Sequence, residues 1–118
     1  NGVYPGSLNS YWIFTNKGVV EINNNQIHTI IETPSSVDVM LMDFRDNIWL
    51  GTKKSGLIFY NTQLKDQKQY DYKSNDISSL HDSKVNCLYE DQTGVLWIGT
   101  EKGLSYFNNN SQKFIEYQ

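Results

Sequence analysis

Three observations predict an all-β chain. A tryptophan-centred run is written three times, as Ile48-Trp49-Leu50-Gly51-Thr52, as Leu96-Trp97-Ile98-Gly99-Thr100 and, worn, as Tyr11-Trp12-Ile13-Phe14-Thr15. Each copy leads through a short polar turn into a glycine and a second apolar run: Gly18 to Ile22, Gly56 to Tyr60 and Gly103 to Phe107. Aromatic residues make up 14% of the chain with eight tyrosines, a composition suited to strands, and no segment shows the helical period. Self-similarity at this scale marks a repeat architecture.

The elements follow in order. The first ten residues contain Pro5 and two glycines without periodicity, so no strand is expected there and the first unit reads as incomplete. Residues 11–15, 19–22 and 26–31 read as its strands, separated by Asn16-Lys17-Gly18 and Asn23-Asn24-Asn25. The second unit opens with the apolar run 37–44, turns at Arg45-Asp46-Asn47, and continues with the Trp49 strand and residues 56–60. Residues 68–72 close it, Tyr70 and Tyr72 alternating with Gln69 and Asp71 as a half-exposed strand does. Residues 73–84, rich in Ser, Asp and Asn, form the longest irregular connection. The third unit repeats the plan over 85–91, 95–100, 103–107 and 114–117.

The tryptophans stand 37 and 48 residues apart, bracketing the about 40–50 residues of a four-stranded propeller blade. Inner strands apolar on both faces and a one-sided last strand fit a blade stacked between neighbours. The expectation is therefore a partial β-propeller over residues 1–118: an incomplete blade at 11–31, then blades at 37–72 and 85–117, about two and three-quarter blades of four-stranded antiparallel sheet. Closed propellers use about four to eight blades. The remaining blades, in a parent chain or a second copy, are the expected partners. The chain opens at Asn1 without an initiator methionine and is expected to be an excised or processed piece.

Composition excludes several function classes. A net charge of −3 with scattered lysines predicts no nucleic-acid footprint and no polybasic membrane patch. The single cysteine, Cys87, excludes an intrachain disulfide and, in an apolar strand pattern, reads as a small buried hydrophobe. His28 and His81 are isolated, and no metal-ligand spacing, phosphate loop or nucleophile elbow is present, so no metal, cofactor or catalytic residue is predicted. Glu90-Asp91 invites an acid/base reading, but Asp43 recurs at the same register as Asp91, which is what a turn-capping aspartate does at every hairpin. Trp12, Trp49 and Trp97 read as blade-packing anchors. Gly51 and Gly99 read as places where a neighbouring sheet comes close, and Gly18, Gly56 and Gly103 as turn glycines.

Asp91-Gln92-Thr93-Gly94-Val95-Leu96-Trp97-Ile98-Gly99-Thr100-Glu101-Lys102-Gly103-Leu104 closely resembles the two-component regulator propeller repeat, D-x-x-G-x-[IL]-W-[IL]-G-T-x-x-G-[LI]. Ser79-Leu80 is similar to the family's lead-in. Residues 43–60 follow the same frame, with Asp46 where glycine is usual and one extra residue before Gly56; the first copy departs most, with Phe14 for glycine. The resemblance implies a non-catalytic periplasmic sensor of a membrane-anchored hybrid regulator of the Bacteroidetes type, binding an oligosaccharide or other small molecule near the propeller's mouth. Candidate contacts are polar residues of the recurring loops on one rim: Asn16, Lys17, Lys53, Lys54, Glu101 and Lys102, with His81 in the long connection. The lysines suit an anionic sugar. The alternatives are a protein–protein scaffold and a propeller lyase or glycosidase, the latter needing an acid–base pair that the repeat frame does not supply.

Overall fold

The structure, a computed structural model, describes residues 2–5 and 10–117. Among the described residues it has twelve strands and no helix. The first sheet holds β1 (Gly2–Pro5), β2 (Ser10–Thr15), β3 (Gly18–Asn23) and β4 (Gln26–Glu32). The second holds β5 (Val37–Met42), β6 (Ile48–Thr52), β7 (Leu57–Asn61) and β8 (Asp66–Tyr70). The third holds β9 (Val85–Glu90), β10 (Leu96–Thr100), β11 (Gly103–Asn108) and β12 (Lys113–Glu116). Within each sheet every strand pairs antiparallel with its neighbours in sequence.

Two of these strands differ from the sequence expectation. The first ten residues do contain a strand: β1 pairs with β2 from Gly2 opposite Phe14 to Pro5 opposite Tyr11, so the first sheet is four-stranded. An edge strand can pair through its backbone without displaying periodicity, and Pro5 sits at its end, where a missing donor costs least. The last strand of the second sheet spans Asp66–Tyr70 rather than 68–72. Its exposed side chains are largely polar, so polarity alone gave no boundary.

The three sheets stack face to face, and the core lies in the two layers between them. Phe14, Val19 and Ile31 of the first sheet meet Ile48, Leu50, Ile58 and Tyr60 of the second. Trp49 and Leu57 of the second meet Val85, Leu96, Ile98, Phe107 and Phe114 of the third, with Leu80 of the long connection. Strand β6 is buried at every position because its alternate side chains serve both layers: Ile48 and Leu50 one, Trp49 the other. Each such side chain contributes about 1.5–3 kcal/mol on burial. This is why β6 reads as an unbroken apolar run.

Cys87 departs from its expected burial and is exposed. It lies opposite Gly99, in register with Tyr89 beside Trp97, on the outer face of the third sheet, which no sheet covers among the described residues.

Candidate functional site

Two rims result from this topology. One carries the β5–β6, β7–β8, β9–β10 and β11–β12 turns; the other carries the β2–β3, β6–β7 and β10–β11 turns and the links that cross from sheet to sheet. On the first rim the recurring aspartate has a definite task. Asp91 Oδ1 accepts hydrogen bonds from the Thr93 hydroxyl (2.6 Å) and from the Thr93 and Val95 amides (2.9 and 3.0 Å), while Oδ2 accepts from the Trp97 indole (3.0 Å). Asp43 does the same, taking the Arg45 and Asn47 amides on Oδ1 and the Trp49 indole on Oδ2, each at 2.9 Å. Bonds from the Thr93 hydroxyl first, and then from the Trp97 indole, hold the Asp91 carboxyl well below its ordinary pKa. Asp46, at φ 63°, takes the left-handed position that Gly94 takes at φ 87° in the third sheet, a conformation aspartate tolerates.

The indole bond is the part that turn-capping logic omits. Its signal in the sequence is the fixed six-residue interval from Asp43 to Trp49 and from Asp91 to Trp97. In the first sheet the Trp12 indole finds an acceptor elsewhere, donating to Glu21 on β3 at 3.0 Å.

On the second rim the recurring threonine pins the turn. Thr52 Oγ1 donates to the Gly56 carbonyl and accepts from the Ser55 amide, both at 2.8 Å. Thr15 and Thr100 repeat the pattern with Gly18 and Lys17, and with Gly103 and Lys102. Gly56 stands at φ 74°, and a Cβ there would collide with the Tyr70 carbonyl oxygen. The threonine thus holds the turn as well as favouring an extended chain. Crossing links are tied to the same turns: Val37 N donates to Asn16 O, Lys53 N to Ser36 O, and Gly56 N to Ser83 O, at 2.8–2.9 Å.

This rim brings together most of the candidate contacts. Asn16 and Lys17 occupy the β2–β3 turn, Lys53 and Lys54 the β6–β7 turn, and Glu101 and Lys102 the β10–β11 turn, all exposed. Among the described residues the ammonium groups of Lys17, Lys53 and Lys54 meet no carboxylate. Glu101 instead accepts from Lys84 at 3.0 Å, which raises the Lys84 pKa. Lys102 lies over the Tyr72 ring at 5.0 Å. His81 is half-buried and tied to the fold, Nδ1 lying 2.5 Å from the buried Ser105 hydroxyl and Nε2 3.3 Å from the Ile77 carbonyl. In the lead-in, the Ser79 hydroxyl donates to Asp76 O at 2.8 Å and accepts from Lys73 N at 3.0 Å, while Leu80 enters the core.

The first rim carries grooves rather than a lysine cluster. One of about 680 Å³ opens between the second and third sheets, lined by Arg45, Asn61, Tyr70 and Phe107 and bridged by Lys68 donating to Gln112 at 3.1 Å. A counterpart of about 510 Å³ recurs between the first and second sheets, by Trp12, Glu21 and Tyr60. Recurrence at each sheet interface fits sheets that splay apart toward their outer strands. Among the described residues no group of three or more histidine, cysteine or carboxylate side chains could hold a metal ion.

Four-stranded meanders stacked through tryptophan-bearing second strands are blades of a β-propeller. The fold superposes with a TM-score of 0.79 on the extracellular domain assigned to a hybrid two component system of B. thetaiotaomicron, 22% identical over 98% of this chain and 18% of that one. A second such extracellular domain from the same organism gives 0.70 at 20% identity, over 99% of this chain and 15% of that one. PorZ, a surface component of the type-IX secretion system of Porphyromonas gingivalis, gives 0.60 at 17% identity over 86% and 16%. These likenesses show the fold. Residues 73–102, the long connection with β9 and β10, match the model of the two component regulator propeller family, the one the repeat frame resembles. Histidine kinase P4 of Formosa agariphila is 38% identical over 58 residues, 49% of this chain. The chain spans 4% of that relative's length.

Proposed function

We propose that this chain is the ligand-sensing part of a two-component signalling receptor, non-catalytic and facing the outside of the cytoplasmic membrane, whose ligand is an anionic oligosaccharide held at the rim of the threonine-pinned turns. The observation that carries the reading is the match of residues 73–102 to the regulator propeller family on blades whose rim presents exposed lysines, Lys17, Lys53 and Lys54 meeting no carboxylate among the described residues. The similarity to a histidine kinase supports a signalling context. Turns pinned by Thr15, Thr52 and Thr100 hold the lysine backbones in place, so binding need order only flexible side chains. Charge-assisted hydrogen bonds from ammonium to carboxylate or sulfate suit such a ligand. To signal, the ligand must favour one arrangement of the receptor over another.

Thermal-shift screening against acidic and neutral oligosaccharides tests this. Ligand at about a hundredfold excess over its Kd stabilises by about 2.7 kcal/mol, and the gain should shrink with added salt. Replacing Lys53 and Lys54 together by alanine should abolish the shift without lowering the unliganded melting point. A panel in which no acidic oligosaccharide raises the melting point, or a double variant that binds unchanged, would overturn the assignment.

A further inference from the structure

The groove between the second and third sheets continues inward along the first rim. A further hollow of about 320 Å³, beside Phe44 and Glu90, shares Arg45 and Asn109 with it, so one furrow runs between two four-stranded blades of this chain. Arg45 is not the residue that the turn itself asks for. At the equivalent position of the third sheet the Thr93 hydroxyl donates to Asp91 Oδ1 at 2.6 Å, whereas Arg45 supplies Asp43 with its backbone amide alone. Its guanidinium lines the furrow and meets no carboxylate within ion-pair distance among the described residues. Lys68, on the edge strand β8, has a neutral partner, the Gln112 amide oxygen. Of the carboxylates along the furrow, Asp43 is engaged by its turn and the Trp49 indole, and Glu90 Oε1 by the Phe44 amide at 2.8 Å, which leaves Asp66. Phe44, 71% exposed, lines the inner part and Leu64, 73% exposed, the outer. The rings of the floor pack on one another, Trp49 on Phe59 at 4.5 Å and Tyr70 on Phe107 at 5.3 Å, rather than presenting a flat face to a sugar.

We propose that this furrow docks an acidic peptide segment of a partner protein, its carboxylates meeting Arg45 and Lys68 and its apolar side chains meeting Phe44 and Leu64. A position that departs from its local rule without local compensation is where function is found. Here the departure sets a second cation beside Lys68, and neither is neutralised by the fold. Ammonium and guanidinium groups bind carboxylates through charge-assisted hydrogen bonds, the guanidinium in a two-pronged geometry. The exposed apolar side chains at the two turn tips select residues flanking the acid, as in other peptide grooves that read acidic motifs. The furrow lies on the rim opposite Lys17, Lys53 and Lys54, so a peptide here and a ligand there can be held at once.

Fluorescence anisotropy with the 118-residue chain tests it, using the labelled peptide Gly-Leu-Glu-Phe-Asp-Leu-Glu-Gly and its amide counterpart Gly-Leu-Gln-Phe-Asn-Leu-Gln-Gly. The acidic peptide should bind with a Kd of about 10–100 μM, the range of a small transient contact, and the amide peptide at least about tenfold more weakly. Arg45→Thr should weaken the acidic peptide about tenfold while raising the melting point, since the new hydroxyl can donate to Asp43 as Thr93 does to Asp91. Lys68→Ala, on an exposed strand, should weaken the peptide with the melting point little changed, and replacing Lys53 and Lys54 together by alanine should leave binding as it was. Equal binding of the two peptides, or no binding of the acidic one at about 100 μM, overturns the proposal. So does binding that survives both Arg45→Thr and Lys68→Ala, or that is lost with Lys53 and Lys54, which would place the peptide on the other rim.

Discussion

Gly51 and Gly99 occupy the same place in the repeat, two residues after the tryptophan, yet the packing around them predicts opposite responses to one added methyl. A Cβ on Gly51 would stand 2.5 Å from Val39 Cγ1, 2.6 Å from Val85 Cγ1 and 3.0 Å from Val85 Cβ. Val85 is fully buried on the neighbouring sheet, and both valines are β-branched and stiff, so the sheets themselves must part. Overpacking of this kind costs about 1–3 kcal/mol. With roughly 4–6 °C per kcal/mol at this chain length, Gly51→Ala should lower Tm by about 10 °C. At Gly99 the new Cβ meets only Cys87 Sγ, which can rotate into the open face, so Gly99→Ala should cost well under about 1 kcal/mol. Both substitutions are best measured by calorimetry. Val85→Ala should rescue Gly51→Ala, with a coupling of about 1 kcal/mol in the double-mutant cycle. Equal losses at Gly51 and Gly99, or no coupling to Val85, would refute the claim that Gly51 is required by sheet-to-sheet approach.

Other expectations are as direct. Asp43→Ala orphans the indole proton of buried Trp49 and should cost about 1–3 kcal/mol in urea unfolding, whereas Asp43→Asn, which keeps an acceptor, should cost less. Because the Asp91 carboxyl has its pKa lowered by folding, the unfolded chain takes up this proton first as pH falls. Its contribution is therefore fully present above the ordinary value of 3.8 and is lost progressively below it; Asp91→Asn should flatten that acid limb in thermal melts from pH 5 downward. His81→Ala leaves the buried Ser105 hydroxyl without its ring partner and should cost about 1–2 kcal/mol while loosening the long connection, read as faster amide exchange over residues 77–83.

The blades were legible because their signals are local and repeated. Strand β6 shows a continuous apolar run since it is buried on both sides, and the tryptophan interval gives the length of a blade. Strand β1 was not legible, because backbone pairing at an edge leaves no side-chain pattern. Cys87 misled for a related reason: its apolar strand context matches that of covered strands, and only the stacking order shows that its face is open. The six-residue interval between aspartate and tryptophan was visible, but the indole bond required the fold of the hairpin. For the rim, sequence placed Asn16, Lys17, Lys53, Lys54, Glu101 and Lys102 on equivalent turns. It gave no hint that Glu101 is engaged by Lys84 or that His81 is tied to Ser105.

Because strands pair with their sequence neighbours within each sheet, each blade's ladder closes over short loops, and the layers between sheets, with the bonds that tie the crossing links to the turns, join distant parts of the chain. Such a stack gains its cooperativity from neighbours. Among the described residues the middle blade has two of them and the outer blades one each, so within this stack local opening should be easiest in the outer blades. The amides of β6 should exchange with solvent last, making this strand the kinetic centre of the molecule.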